Sequence, residues 1–210
     1  MNNLLEDENT YRSIRSNPLK TLQADYNNRA LKDILLNNEE LYSRFKSWLP
    51  SLPYMYGLPK IHKQNVPCRP IISTVGSVTY RLSSWLACHL STYVGTISQA
   101  HVKNSEDLIN KIKNFNLTES KLVSFDVVSL FTNVPVENTI EFLENYFKNR
   151  TDTLPLGRDI FMKLLRLALS QSAFSFNEKF YVQLNGLSMG NPLSPVMANL
   201  FMENVEKNLL

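Results

Sequence analysis

The sequence predicts an α+β fold, and three observations carry that prediction. Apolar residues recur mostly at spacings of three to four through Leu19, Leu22, Tyr26, Ala30, Ile34, Leu35, Leu41 and Phe45, the period of helices with one buried face. Two stretches, Tyr54 to Ser73 and Ala173 to Leu184, are β-prone runs folded back on polar tips and read as hairpins. A short apolar run, Leu122-Val123-Ser124-Phe125, is too brief for a lone helix and reads as a buried strand that delivers Asp126 to a sheet edge.

Of the 210 residues, 43% are hydrophobic and 20% charged, enough apolar material for a core in one domain or two subdomains. No run approaches the length of a membrane span. The polar start, Met1 to Glu8, lacks the features of a signal peptide, so an intracellular chain, nuclear or cytoplasmic, not secreted and without membrane attachment, is expected. Cys68 and Cys88 have no paired-ligand spacing, and His62, His89 and His101 stand apart, which argues against structural zinc. A net charge of +3 permits a nucleic-acid partner without demanding one.

Taken in order, residues 1–50 form a helical region running from about Thr10 to Trp48. Asn27-Asn28 is its expected break, and Asn37-Asn38 a possible second one. Pro50, Pro53, Gly57 and Pro59 then end helical structure and open residues 51–120. Here Tyr54 to Lys63 turns through Gln64-Asn65 into Val66 to Ser73. Lys60, Lys63 and Arg69 lie beside Tyr54 and Tyr56, a mixture of cations and aromatics that suits phosphates and stacked bases and equally suits a solvated hairpin. Pro67 and Pro70 stiffen the backbone around Arg69 and preset its guanidinium for a triphosphate.

Val78 to Val94 reads as a core helix in which Trp85 and His89, at i and i+4, suit packing against each other more than ligand chemistry. Ser105 is expected to cap a third helix, with Glu106 and Asp107 in its first turn. Residues 121–210 begin with the strand before Asp126, whose carboxylate either caps a turn or holds Mg²⁺. Amphipathic helices follow from Pro135 and from Arg158 to Ser170. The second hairpin turns at Asn177-Glu178. After it, Gly186 to Pro195 leads into an apolar helix, a pattern that suits an ordinary helix start and equally lets Gly190 bring the backbone close to a ligand.

Four segments in this order, Tyr56-Gly57-Leu58-Pro59-Lys60-Ile61-His62-Lys63, Arg69-Pro70-Ile71, Ser124 to Asn133 and Gly186 to Pro195, resemble the reverse transcriptase of Penelope-like retroelements. The resemblance spans about Asp7 to Leu210 and implies right-hand polymerase fingers and a partial palm behind the N-terminal helices. It implies that Asp126 bridges two Mg²⁺ ions about 3.5–4 Å apart, with the Val127 carbonyl as a nearby ligand. Phe131 matches the family's steric gate against a ribose 2′-hydroxyl. Arg69 and Lys60 would hold the incoming deoxynucleotide triphosphate, while Leu187 to Gly190, with Met189 where many reverse transcriptases carry glutamine, would lie against the nascent base pair. RNA template and DNA primer are the implied partners of the complete protein.

The family's next motif, an aromatic and one further residue before paired aspartates on a hairpin, does not occur, and the sequence contains no adjacent aspartate pair. A chain truncated before its catalytic hairpin is therefore expected: inactive alone and a poor Mg²⁺ binder, because such sites converge several carboxylates. The alternative expectation is a non-catalytic nucleic-acid-binding remnant of a decayed retroelement.

Overall fold

The computed structural model describes residues 5–113, 121, 123–148, 150 and 154–209. Among these the fold is α+β, with helices packed around one five-stranded sheet. The chain enters through β1 (Tyr11–Ile14), followed by α1 (Leu19–Ala24), a π-helical stretch (Asp25–Ala30), α2 (Leu31–Ile34) and α3 (Glu39–Phe45). β2 (Tyr54–Pro59) and β3 (Cys68–Ser73) form the first hairpin. Next come α4 (Tyr80–Leu90), a 3₁₀ turn (Ser91–Tyr93), α5 (Ser105–Ile112), α6 (Leu130–Asn133), α7 (Val136–Lys148) and α8 (Arg158–Leu169). β4 (Ala173–Phe176) and β5 (Lys179–Gln183) make the second hairpin, and α9 (Leu193–Leu209) closes the described chain.

The sheet order is β1-β5-β4-β2-β3, antiparallel except where β2 meets β4 in parallel at Tyr54 and Ser175. Strands from all three sequence stretches, 1–50, 51–120 and 121–210, thus share one sheet. Two apolar clusters hold the layers. The larger joins Tyr26, Phe45, Leu82, Leu86, Phe161 and Met197 among the helices, and the smaller gathers Tyr11, Met55, Ile72 and Phe174 against the sheet.

Both hairpins form as the sequence predicts. The second turns at Asn177 and Glu178, both at positive φ, the backbone that a two-residue turn with matching twist demands. Trp85 and His89 pack with ring centroids 4.5 Å apart, and Trp85 also meets Phe45 and Phe161.

Three expectations are corrected. Residues 11–14 are a strand instead of helix, because the Tyr11 ring meets Phe174 edge-on at 5.8 Å and is buried only when paired with β5. Asn27-Asn28 does not break the helix but widens it into the π-helical stretch, and the break falls at residues 35–38, where Asn38 accepts from the Leu41 amide and caps α3. The cap of α5 is Asn104, whose side chain accepts from the Asp107 amide, and not Ser105.

A further correction concerns Asp126. Residues 121 and 123–127 have no regular secondary structure, and Phe125 is 92% exposed. The apolar run before Asp126 therefore does not form the buried strand its composition suggests; Leu122 lies outside the described residues. β-propensity is realised only against a neighbour that supplies ladder hydrogen bonds and a face to bury. Among the described residues no strand pairs with 123–127. No helix of the described residues is long and apolar enough to cross a membrane.

Candidate functional site

In the first hairpin, opposed residues share a face, so the register places Tyr54, Tyr56 and Leu58 together with Ser73, Ile71 and Arg69. Met55 and Ile72 point the other way, into the smaller core. That core contact decides which face stays in water. Tyr54 and Tyr56 remain 55% and 39% exposed with centroids 5.8 Å apart, and Arg69 is exposed on the same face. The tip is built from stacked turns. The Lys60 amide donates to the Pro67 carbonyl at 2.9 Å, the Lys63 amide to Lys60 at 3.0 Å and the Val66 amide to Lys63 at 3.1 Å. Lys63 is exposed and Lys60 half-buried at the base of this turn.

The loop between β5 and α9 crosses from this hairpin to α6. At one end the Leu187 amide donates to the Phe131 carbonyl at 2.7 Å. A Cβ on Gly186 would stand 2.5 Å from Phe131 and Thr132 backbone atoms, so only glycine permits the approach. At the other end the Ile72 amide donates to the Met189 carbonyl at 2.6 Å, and the Thr74 hydroxyl donates to the Gly190 carbonyl at 3.0 Å. The structure therefore brings Phe131, Met189, Gly190 and the strand carrying Arg69 into one hydrogen-bonded assembly. Phe131 is half-buried against the larger core, which fixes its position.

Asp126 and Val127 stand apart. Both are exposed, and among the described residues the Asp126 carboxylate makes no hydrogen bond or ion pair. The turn after them is well held: Ser129 takes a left-handed conformation, Thr132 donates its hydroxyl to the Ser129 carbonyl at 3.0 Å, and Asn133 donates to Val128 and Ser129 carbonyls at 3.2 Å each. No family model matches this chain, and no curated protein matches it.

The described residues do not fit a two-magnesium centre. Such a centre needs carboxylates converging from separate elements, and no group of three or more His, Cys, Asp or Glu side chains among the described residues could hold a metal ion. Asp126 supplies a single exposed carboxylate.

Sequence reasoning missed the polar struts beneath the loop. Thr74 is one. Gln183 is another: its amide nitrogen donates to the Asn185 carbonyl at 2.8 Å, and its oxygen accepts from the Ser188 hydroxyl at 3.1 Å. Asn185 in turn donates to the Asn9 carbonyl at 2.8 Å, tying the loop to the entry of β1. The available signal was a glutamine at the inward end of β5, since a buried amide needs partners for both of its ends.

Proposed function

We propose that these residues are the fingers and partial palm of an RNA-directed DNA polymerase of the Penelope-like retroelement type, which in the complete protein extends a DNA primer on an RNA template. The observation that supports the reading most is the loop 186–190. It hydrogen-bonds to Phe131 at one end and to Ile72 and Thr74 at the other, joining three motifs far apart in sequence that the resemblance assigns to one nucleotide pocket.

In this reading Arg69 and Lys60 receive phosphates, Tyr56 and Lys63 meet the nucleic-acid strand, and Phe131, Met189 and Gly190 shape the pocket for sugar and base. Asp126 contributes one of the metal-binding carboxylates and Val127 a carbonyl. These 210 residues contain no adjacent aspartate pair, so in this reading they do not polymerise by themselves.

The test is primer extension by a chain that adds a segment bearing paired aspartates. Deoxynucleotide incorporation should appear and vanish in Asp126→Asn, and Phe131→Ala should admit ribonucleotides. Activity that survives Asp126→Asn refutes the assignment of Asp126. A second reading, a non-catalytic binder of nucleic acid, draws on the exposed face of Tyr54, Tyr56 and Arg69. It predicts salt-sensitive binding without incorporation in any extended chain.

A further inference from the structure

Trp48 is 65% exposed, yet the backbone that presents it is held unusually firmly. The buried Asn27 side chain, carried on the π-helical stretch, donates to the Ser47 carbonyl at 2.6 Å and accepts from the Ser47 amide at 2.9 Å. Gln23 donates to the Ser47 and Trp48 carbonyls at 3.0 Å each, and the Tyr26 hydroxyl to the Phe45 carbonyl at 3.2 Å. Further on, the Ser51 amide donates to the Gly76 carbonyl at 2.9 Å. π-Helical insertions recur at functional sites, and this one aims Tyr26 and Asn27, beside Gln23 of α1, at one short segment.

The Lys46 ammonium lies 4.3 Å from the Trp48 ring centroid. Beside the ring runs a groove of about 300 Å³ whose lining includes Leu49, Tyr80 and Arg81 and no acidic residue. An exposed indole on a firmly held backbone, with Lys46 and Arg81 near it and no carboxylate lining its groove, complements an unpaired base attached to phosphate.

We infer that Trp48 is a stacking platform for single-stranded nucleic acid, with Lys46 and Arg81 taking the adjoining phosphates. The inference rests on the nucleic-acid reading above and extends it to a surface built by the segment after α3 and the start of α4, outside the hairpin strands.

The test titrates the full 210-residue chain with a single-stranded RNA 12-mer, followed by tryptophan fluorescence and by anisotropy of labelled RNA across a salt series. The RNA should quench fluorescence, and the quench should disappear in Trp48→Phe, which keeps Trp85. Trp48→Ala, with unchanged circular dichroism, should weaken binding about five- to 150-fold, the worth of one stacked base, and Trp48→Phe should retain most of the affinity. Arg81→Gln should flatten the salt dependence by about 0.7 in the log-log slope, and Trp48→Ala should leave that slope unchanged. Salt-sensitive binding with no quench and full affinity in Trp48→Ala overturns this inference alone. Equal quenching by a fully paired duplex also overturns it. Absence of any salt-sensitive binding overturns the nucleic-acid reading, and this inference with it.

Discussion

Gly190 passes so close to Ile72 that a Cβ at position 190 would stand 2.3 Å from the Ile72 carbonyl oxygen. The same residue has φ of +121°, a conformation that side chains rarely adopt. Close approach and backbone conformation together make this position the point where the loop 186–190 locks onto β3.

Gly190→Ala should therefore destabilise the fold by more than the about 1–3 kcal/mol that an unfavourable backbone conformation costs alone. Gly157 is the matched control: its φ is +78°, but a Cβ there meets nothing within 4 Å. Urea denaturation should show a clearly larger drop for Gly190→Ala than for Gly157→Ala, and equal losses would show that the loop does not bear on β3 as described.

Asp126→Asn should change stability by no more than about 0.5 kcal/mol, as expected of an exposed side chain without partners among the described residues. A residue capping the following turn would instead cost about 1 kcal/mol when changed to alanine. Thermal unfolding of Asp126→Asn and Asp126→Ala separates a residue kept for chemistry from one kept for structure. A loss near 1 kcal/mol in Asp126→Ala would favour the structural role.

Glu203 is 2% exposed and accepts from three backbone amides, Gly95 at 2.6 Å, Ile97 at 3.0 Å and Ser98 at 3.4 Å, fastening α9 to the turn after α4. Glu203→Gln replaces one acceptor oxygen by a donor facing amides, which should cost about 1–3 kcal/mol or more. Hydrogen exchange should show the Gly95, Ile97 and Ser98 amides losing protection first. Unchanged protection there would rule out the carboxylate as their anchor.

Tyr26 contributes to the alkaline limit. Burial pushes its hydroxyl pKa well above the ordinary value, so the folded state favours the neutral form. With the folded pKa above the unfolded one, this stabilisation is complete below about pH 10 and is lost as pH rises beyond it toward the folded value. Denaturation midpoints should fall above pH 10, and less steeply in Tyr26→Phe, which at neutral pH gives up only the hydrogen bond to Phe45, worth about 0.5–1.5 kcal/mol. An identical alkaline decline in both proteins would exclude Tyr26 as the titrating group.

Elements whose partners lie close in sequence were legible from residue pattern. The two hairpins carry their own turns, and α4, α7 and α8 carry their own apolar faces. Tyr11 to Ile14 was not legible, because its strand character depends on Phe174 and β5 far along the chain. The opposite error occurred at Val123 to Phe125, where strong β-propensity finds no partner strand among the described residues. In the site, Arg69, Tyr56 and Gly190 stood out by residue type and nearby glycine or proline, and Phe131 through the family resemblance. Thr74 and Gln183 did not, since each is an ordinary polar residue until the groups it satisfies are known.

The α+β class, both hairpins, the basic and aromatic character of residues 54–69 and the special backbone at Gly190 were thus determined by local sequence, through periodicity, turn chemistry and the steric freedom of glycine. Tertiary structure alone decided which face of the first hairpin meets water, that the loop 186–190 bridges Phe131 to β3, and that Asp126 stands exposed outside the sheet. Those outcomes depend on contacts between segments distant in sequence, where burial of Met55 and Ile72 and the pairing of buried amides and carbonyls outweigh what any one stretch prefers by itself.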